Sequence, residues 1–147
     1  MSDTITPYDS VTEDTINAQV DAFYACVRRD AVLGPIFAEA IADDAWPRHL
    51  QKMYAFWSSV MLTSGRYKGD PVSTHRKVTA IEPPMFGNWL DLFEVTAAEL
   101  FVPGIAEQFA CKARRIAESL KLAMFFRADR PWPEDLRQRD RITSTCD

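Results

Sequence analysis

The chain has 147 residues, of which 47% are hydrophobic and 26% are charged, proportions that are ordinary for one globular domain. Its net charge of −4, with both signs spread along the chain, disfavours nucleic acid as a partner, because nucleic-acid binding usually needs a basic face. No apolar stretch approaches the ~20 residues that span a bilayer, and no charged start followed by an apolar run indicates a secretory signal, so we expect a cytoplasmic protein with no membrane partner.

The start of the chain is polar, and we expect residues 1–11 to form a flexible N-terminus. A first helix is predicted over 12–30, because apolar residues recur there at spacings of three and four and so form one face. The dipeptide Gly34-Pro35 should break the chain after this helix, since proline lacks an amide hydrogen and clashes with the preceding turn. A short connecting element should follow it. The apolar face of the first helix contains Ile16, Val20, Phe23, Tyr24 and Val27.

A second helix is predicted over 45–64. Asp44 can cap its N-terminus, and Pro47 suits its first turn, where the missing amide donor has no partner to lose. Its apolar residues cover a wide arc, so that it should be buried on more than one side. Gly65 can end it.

The second half of the chain contains a loop and two further helices. Residues 65–82 predict a loop with at most a short helical turn around 71–77. A third helix is predicted over 83–101, and the tripeptide Val102-Pro103-Gly104 should break it. A fourth helix is predicted over 105–126, where apolar residues again recur with helical period.

These elements predict the overall organisation. Residues 12–126 should form one domain, and the polar tail over 127–147, which has little periodicity, should be disordered. Four substantial helices and no convincing strand predict an all-α fold.

The chain has only two histidines, His49 and His75, and each stands beside a different aromatic-rich segment. Imidazole is the commonest metal ligand among side chains, and two imidazoles facing each other across an apolar slot could flank an iron atom in a flat organic ring. His75 is the better ligand candidate, because it lies off the packed helices, where a carbonyl of the 70–74 turn could orient its ring. Tyr24 and Trp89 could project into the same crevice as hydrogen-bond donors. Each of these residues has an ordinary alternative as a packed core side chain.

Other polar residues carry weaker signals. Lys52 and Arg76 are ordinary surface charges, although either could meet carboxylates at the mouth of the crevice. Nothing resembles a phosphate-binding glycine loop, a serine triad or a carboxylate pair. The three cysteines lack metal-ligand spacing, so that we expect them to be reduced thiols; they are Cys26, Cys111 and Cys146.

A series of short motifs follows the order Phe23-Tyr24, Leu33-Gly34-Pro35-Ile36-Phe37, Trp46-Pro47-Arg48-His49, Phe56-Trp57, Gly65-Arg66-Tyr67-Lys68-Gly69-Asp70-Pro71, His75, Trp89 and Leu92-Phe93. Single members of this series are weak signals, but their order and spacing together are specific. In these motifs the chain resembles the truncated haemoglobins, and specifically group III of that family, over roughly residues 12–126.

The resemblance implies a two-over-two helical globin, which holds haem b between its helices. His75 looks like the proximal iron ligand, the imidazole that binds the metal on the face opposite the small ligand. Tyr24, His49 and Trp89 fall at the distal positions, on the opposite side of the haem, where this family keeps polar residues that stabilise a bound ligand. The resemblance also places Phe37 and Met53 at the cofactor, and we expect Lys52, Arg76 and Tyr67 to contact it as well.

Three functions compete at this point. The first is the binding, or transport, of dioxygen, nitric oxide, carbon monoxide or another small ligand at a five-coordinate iron. The second is enzymatic, either nitric oxide dioxygenation or peroxide chemistry, and needs a separate reductase because the chain has no flavin motif. The third is a haem-free helical interaction module in which both histidines are structural.

Overall fold

The computed structural model describes residues 6–71, 75 and 81–125, which form α-helices joined by short connections. The predicted tail over 127–147 and Arg76 lie outside the described residues. Within the described ranges no strand occurs, which confirms the predicted all-α fold. The helices are α1 (Glu13–Arg29), α2 (Leu33–Ala40), α3 (Trp46–Leu62), α4 (Met85–Leu100) and α5 (Pro103–Phe125).

The first helix begins where its residue types predict. The Thr12 side chain accepts a hydrogen bond from the Thr15 amide at 3.1 Å, and the Thr15 side chain accepts one from the Thr12 amide at 2.8 Å. This reciprocal capping box satisfies two amide donors that the first turn of a helix leaves free. The helix predicted over 12–30 is therefore confirmed.

Both predicted helix breaks are confirmed, since α1 ends at Arg29 before Gly34-Pro35 and α4 ends at Leu100 before Val102-Pro103-Gly104. The prolines also begin the helices that follow: Pro35 lies in the first turn of α2, and Pro103 is the first residue of α5. The missing amide donor is harmless in a first turn, where no carbonyl precedes it in the helix. The turn before α2 instead depends on Asp30, whose carboxylate accepts hydrogen bonds from the amides of Val32 and Leu33 at 3.0 and 2.9 Å.

The ends of α3 also differ from the prediction. Asp44 lies within a 3₁₀ turn, Asp43–Ala45, and the cap position is occupied by Ala45 with no side-chain hydrogen bond. Pro47 lies in the first turn as expected. The helix ends at Leu62, ahead of the predicted Gly65, and the next residue, Thr63, adopts the left-handed conformation with φ 52°.

The core lies between α1, α4 and α5, and α3 covers it. The helix α4 packs along α5, while α1 contacts α2, α3 and α4. Gly34 allows the close approach of α2 to α1, since a Cβ atom there would lie 2.9 Å from the Arg28 carbonyl oxygen. The largest fully buried aromatic side chains are Phe23, Phe93, Phe101 and Phe109.

The N-terminal segment is held to the bundle at Tyr8. Its amide donates to the Leu100 carbonyl at 2.8 Å, and its carbonyl accepts from the Val102 amide at 3.0 Å. The ring of Tyr8 lies on Phe101, with centroids 5.5 Å apart, and remains 39% exposed. Two backbone hydrogen bonds thus fix the position of this exposed aromatic residue.

One carboxylate joins the start of α1 to the loop after α3. Glu13 accepts a hydrogen bond from the Ser58 hydroxyl at 2.7 Å through Oε2, and pairs with the Arg66 guanidinium at 2.5 Å through Oε1. The hydroxyls of Ser58 and Ser64 lie 2.7 Å apart. This Glu13 link fixes the chain segment that leads towards Pro71 and His75.

A buried amide connects α1 to α4. The Gln19 side chain is 1% exposed, and its Nε2 donates to the Phe93 carbonyl and to the Thr96 hydroxyl, both at 3.1 Å. We expect Gln19→Leu to lower the free energy of unfolding by about 1–3 kcal/mol, because it removes both donors from buried acceptors. Urea denaturation measures this loss. The matched control is Gln51→Leu on the exposed face of α3, which should stay within about 0.5 kcal/mol of the parent; equal losses in both variants would contradict the role of Gln19.

Two further expectations concern the cysteines and the membrane. Cys26 is a free thiol, whereas Cys111 is disulfide-bonded, so the expectation of reduced thiols is wrong for Cys111. Sequence spacing alone did not indicate this bond. In the described part of the chain, no helix combines the length and the apolar character that crossing a bilayer requires.

Candidate functional site

A backbone carbonyl one helical turn earlier in the chain orients the His75 ring. Both Pro71 and His75 are helical, and His75 Nδ1 lies 2.6 Å from the Pro71 carbonyl oxygen. A carbonyl only accepts hydrogen bonds, so Nδ1 must carry the proton and Nε2 is left with its lone pair. A carbonyl that accepts a hydrogen bond from one ring nitrogen usually orients an imidazole whose other nitrogen binds a metal. The predicted turn around 71–77 is described only at these two positions.

His49 packs between two aromatic rings. Its ring packs edge-on against Tyr24 at 5.1 Å and against Trp46 at 5.3 Å. Within the described part of the chain, the buried Nε2 of His49 has no hydrogen-bond partner. Burial, followed by the charges of Lys52 and His75, lowers the pKa of His49 to about 4. His49 is therefore neutral at physiological pH.

Tyr24 is buried among the aromatic rings that contact His49. It is 6% exposed, and the ring of Phe37 lies 5.9 Å from it in addition to those of Trp46 and His49. Burial raises the pKa of the Tyr24 hydroxyl far above its ordinary value. The hydroxyl therefore keeps its proton and can act as a donor at any physiological pH.

Trp89 reaches the same region through a shared neighbour. The ring of Phe23 packs against Tyr24 at 4.9 Å and against Trp89 at 5.5 Å. Trp89 is half-buried and stacks on Phe93 with the two rings 13° from parallel. The structure thus brings Tyr24, His49 and Trp89 together around one group of aromatic side chains.

The remaining predicted cofactor contacts are more dispersed. Phe37 and Met53 are partly buried against the core, and Phe37 stacks on Trp46 at 6.4 Å. Lys52 is exposed, but its charge acts on His49. Tyr67 packs against Phe56 at 5.1 Å and is not among the rings that surround Tyr24.

Trp46 is the residue that sequence reasoning left out of the site. It is 4% exposed, touches both Tyr24 and His49, and carries the Arg28 guanidinium 4.5 Å from its ring centroid. The available signal was its spacing: residues three apart on a helix share a face, and Trp46 precedes His49 by one such step. Its position at the first residue of α3 weakened that signal.

The donors present fit a haem better than a bare metal ion. No three His, Cys, Asp or Glu side chains are grouped to hold an ion within residues 6–71, 75 and 81–125. A porphyrin supplies its own equatorial nitrogens and needs only an axial imidazole from the protein. The lone pair of His75, the unpartnered Nε2 of His49 and the surrounding aromatic rings therefore match the requirements of this cofactor.

The neutral state of His49 predicts a pH dependence of stability. Its pKa of about 4 in the folded chain lies below the ordinary value near 6.5, so the unfolded chain takes up a proton first as the pH falls. We therefore expect the free energy of unfolding to decrease between about pH 6.5 and about pH 4. Urea denaturation across this range measures the slope, and His49→Gln should flatten it. An unchanged slope in that variant would show that another group causes the loss.

Known proteins resemble this chain in sequence and in structure. A search of protein-family models found no match. The group 3 truncated haemoglobin of Campylobacter jejuni is 35% identical over 89 residues, which is 59% of this chain and 70% of that protein. The crystal structure of a group III truncated haemoglobin from Campylobacter jejuni aligns with a TM-score of 0.77 at 28% identity, over 82% of this chain and 96% of that chain.

The likeness extends to both the sequence and the arrangement of the helices, and it confirms the predicted truncated-globin fold. It also agrees with the fit of haem to the paired histidines. The chain therefore belongs to the group III truncated haemoglobins, globins that hold a haem and bind small ligands.

Proposed function

We propose that this protein binds dioxygen and other diatomic ligands on a haem b that is held by His75 alone in the resting state. The observation that carries the proposal is the contrast between the two imidazoles. His75 has its Nδ1 proton fixed by the Pro71 carbonyl, whereas His49 is neutral and has an unpartnered, buried Nε2. One histidine is thus prepared to bind iron, and the other faces the ligand.

When haem is bound, its iron supplies the site at which a diatomic ligand is held and gains negative charge. Tyr24 and Trp89 then act as donors towards that charge. Each hydrogen bond to a charged group contributes about 1–3 kcal/mol, which is about 5–150-fold in ligand retention. His49 adds either a third donor or an acceptor, since its neutral ring has one nitrogen of each kind. A donor-rich pocket of this composition favours slow release of the ligand.

The other residues have proposed roles around the ring. Phe37 and Met53 supply apolar contact with the porphyrin, whose burial contributes ~25 cal/mol per Å² of apolar area. Lys52, exposed and close enough to act on His49, would pair with a propionate. Arg76 and Tyr67 are proposed contacts at the same edge.

The coordination state is tested by the spectrum of the reduced protein. We expect the purified chain, loaded with one equivalent of haemin and reduced under argon, to show the single broad visible band of five-coordinate ferrous iron. His49→Ala should leave that band unchanged. A sharp pair of visible bands in the parent that disappears in His49→Ala would instead show that His49 binds the iron at rest.

A second candidate function is enzymatic, either oxidation of nitric oxide by bound dioxygen or reduction of peroxide. The observation that favours it is the grouping of Tyr24, His49 and Trp89, because donors stabilise charge that develops on the distal oxygen during such reactions. This function needs an electron source, which we propose to be a separate reductase in the cytoplasm. Repeated turnover separates the two candidates. A carrier and a dioxygenase can each convert one nitric oxide to nitrate and become ferric, but only a dioxygenase consumes many equivalents of nitric oxide per haem when a reductant regenerates the ferrous protein.

The haem-free interaction module has lost its support. Membership of a haem-binding family and the fit of both imidazoles to the cofactor argue against it.

A further inference from the structure

Aromatic rings form an unbroken series of contacts that starts at the ligand side of the site. Trp89 stacks on Phe93 with ring centroids 5.6 Å apart and planes 13° from parallel. Phe93 in turn stacks on Trp57 at 4.6 Å and 19°. Two indoles are thus held on opposite sides of one phenyl ring, and Trp57 and Phe93 are almost completely buried.

The series continues to the surface. Trp57 lies 6.4 Å from Phe109, Phe109 lies 4.7 Å from Phe101, and Phe101 lies 5.5 Å from Tyr8. The phenylalanines are buried, whereas Tyr8 is 39% exposed. A packed core explains the buried members of this series. It does not explain why the series ends at an exposed phenol that two backbone hydrogen bonds hold in place.

The residue types along the series differ in a way that matters chemically. Tryptophan and tyrosine lose an electron far more easily than phenylalanine does, and they occur here at the start, the middle and the surface end. We propose that Trp89, Trp57 and Tyr8 form an electron-transfer path that allows peroxide, reduced at the ligand side of the haem, to oxidise phenol-class reductants at the protein surface. This inference rests on the proposed function, since it requires a haem beside Trp89.

The electrons and atoms balance as follows. Reduction of one hydrogen peroxide to two waters consumes two electrons and two protons. Each electron is supplied by Tyr8, whose phenol releases one proton to solvent and becomes a neutral radical. A phenol-class reductant then gives one hydrogen atom back to Tyr8, so that one peroxide and two phenols yield two waters and two phenoxyl radicals.

An alternative electron-transfer path through Trp46 is disfavoured by a nearby positive charge. Trp46 touches Tyr24, but the Arg28 guanidinium lies 4.5 Å from its ring centroid. A positive charge over the ring favours its neutral form and opposes the positive charge that oxidation creates. The path through Trp57 has no such cation over its rings among the described residues.

A second alternative electron-transfer path leads from Trp57 through Phe56 to Tyr67. The ring centroids of Trp57 and Phe56 are 5.6 Å apart, and those of Phe56 and Tyr67 are 5.1 Å apart. Burial and the nearby Asp70 raise the pKa of Tyr67, which disfavours the proton loss that accompanies oxidation of a phenol. Tyr67 is two ring contacts from Trp57 and Tyr8 is three, so the position of the oxidised tyrosine distinguishes the two paths.

The test treats the haem-loaded protein with one equivalent of hydrogen peroxide and no added reductant, so that Tyr8 radicals from two molecules couple. We expect dityrosine fluorescence and a covalent dimer whose cross-link is located at Tyr8 by mass spectrometry. Tyr8→Phe should remove this dimer, and Trp57→Phe should reduce its yield several-fold. Freeze-quenched electron paramagnetic resonance with ring-deuterated tyrosine shows the tyrosyl radical in the unaltered chain, independently of whether a variant folds.

Photo-oxidation with a ruthenium tris-bipyridyl complex and persulfate provides the reference. It oxidises exposed phenols directly, so we expect it to yield the Tyr8 dimer equally in the parent and in Trp57→Phe. The path is refuted if peroxide gives no Tyr8 dimer while photo-oxidation does, if the Trp57→Phe yield is undiminished, or if the cross-link lies at Tyr67. A protein without a Soret band after haemin addition refutes the proposed function and this inference together, whereas a red protein that consumes peroxide without oxidising Tyr8 refutes only the path.

Discussion

Replacing His75 with alanine should abolish stable haem binding. The imidazole is the only side chain whose nitrogen lone pair is prepared for the iron by a fixed hydrogen bond, the one from Nδ1 to the Pro71 carbonyl at 2.6 Å, in the described part of the chain. Without it the haem keeps its apolar contacts but loses its bond to the protein, so that it should be removed by a haem scavenger such as apomyoglobin. The measurement is the rate at which the Soret band transfers to the scavenger.

Two controls make this result specific. His49→Ala should retain haem, because His49 carries no orienting hydrogen bond and the pKa shift to about 4 reflects burial rather than preparation for a metal. His75→Gly, which leaves room for a small molecule, should recover the parent spectrum when free imidazole is added. A His75→Ala protein that keeps both the spectrum and the haem of the parent would show that another residue binds the iron.

Replacing Tyr24 with phenylalanine should speed the release of dioxygen. The change keeps the buried ring and its contacts with Phe23, Phe37, Trp46 and His49 but removes the hydroxyl. A hydrogen bond of about 1–3 kcal/mol to the charged ligand corresponds to release that is about 5–150-fold faster. Carbon monoxide gains less negative charge, so its release should change much less. Stopped-flow displacement of each ligand measures both rates.

The comparison variant is Trp89→Phe, which removes the second donor and keeps the stack on Phe93. If Tyr24 and Trp89 both contact the ligand, the effects in the double variant should be smaller than the sum of the single effects, because the two donors share one acceptor. An unaltered dioxygen release rate in Tyr24→Phe would mean that its hydroxyl does not reach the ligand.

The sequence predicted the helices well because their patterns are local. Apolar residues at spacings of three and four fix the inward face of α1 whatever surrounds it, and the helix Glu13–Arg29 was expected over 12–30. The same local rules located the helix ends before Gly34-Pro35 and before Pro103 but not the helix starts that follow. Proline suits a first helical turn as well as a break, so residue type alone did not show that helices begin at Leu33 and Pro103.

The site was predictable only in part, for a physical reason. Tyr24, His49 and Trp89 come from three helices, and the contacts that bring them together through Phe23 are long-range. Residue type and family resemblance identified these three residues, but only the fold shows that Trp46 packs against both Tyr24 and His49. The lowered pKa of His49 also depends on burial and on the charges of Lys52 and His75. Residue spacing in the sequence predicts neither of these effects.

The Glu13 link has a consequence for how the fold responds to dissolved salt. Its carboxylate joins the first turn of the helix that bears Tyr24 to the segment that leads towards His75. Both partners of the Glu13–Arg66 pair are nearly half exposed, so mobile ions screen their attraction. Raising the ionic strength should therefore weaken this connection, and Glu13→Gln should remove that part of the salt dependence of stability.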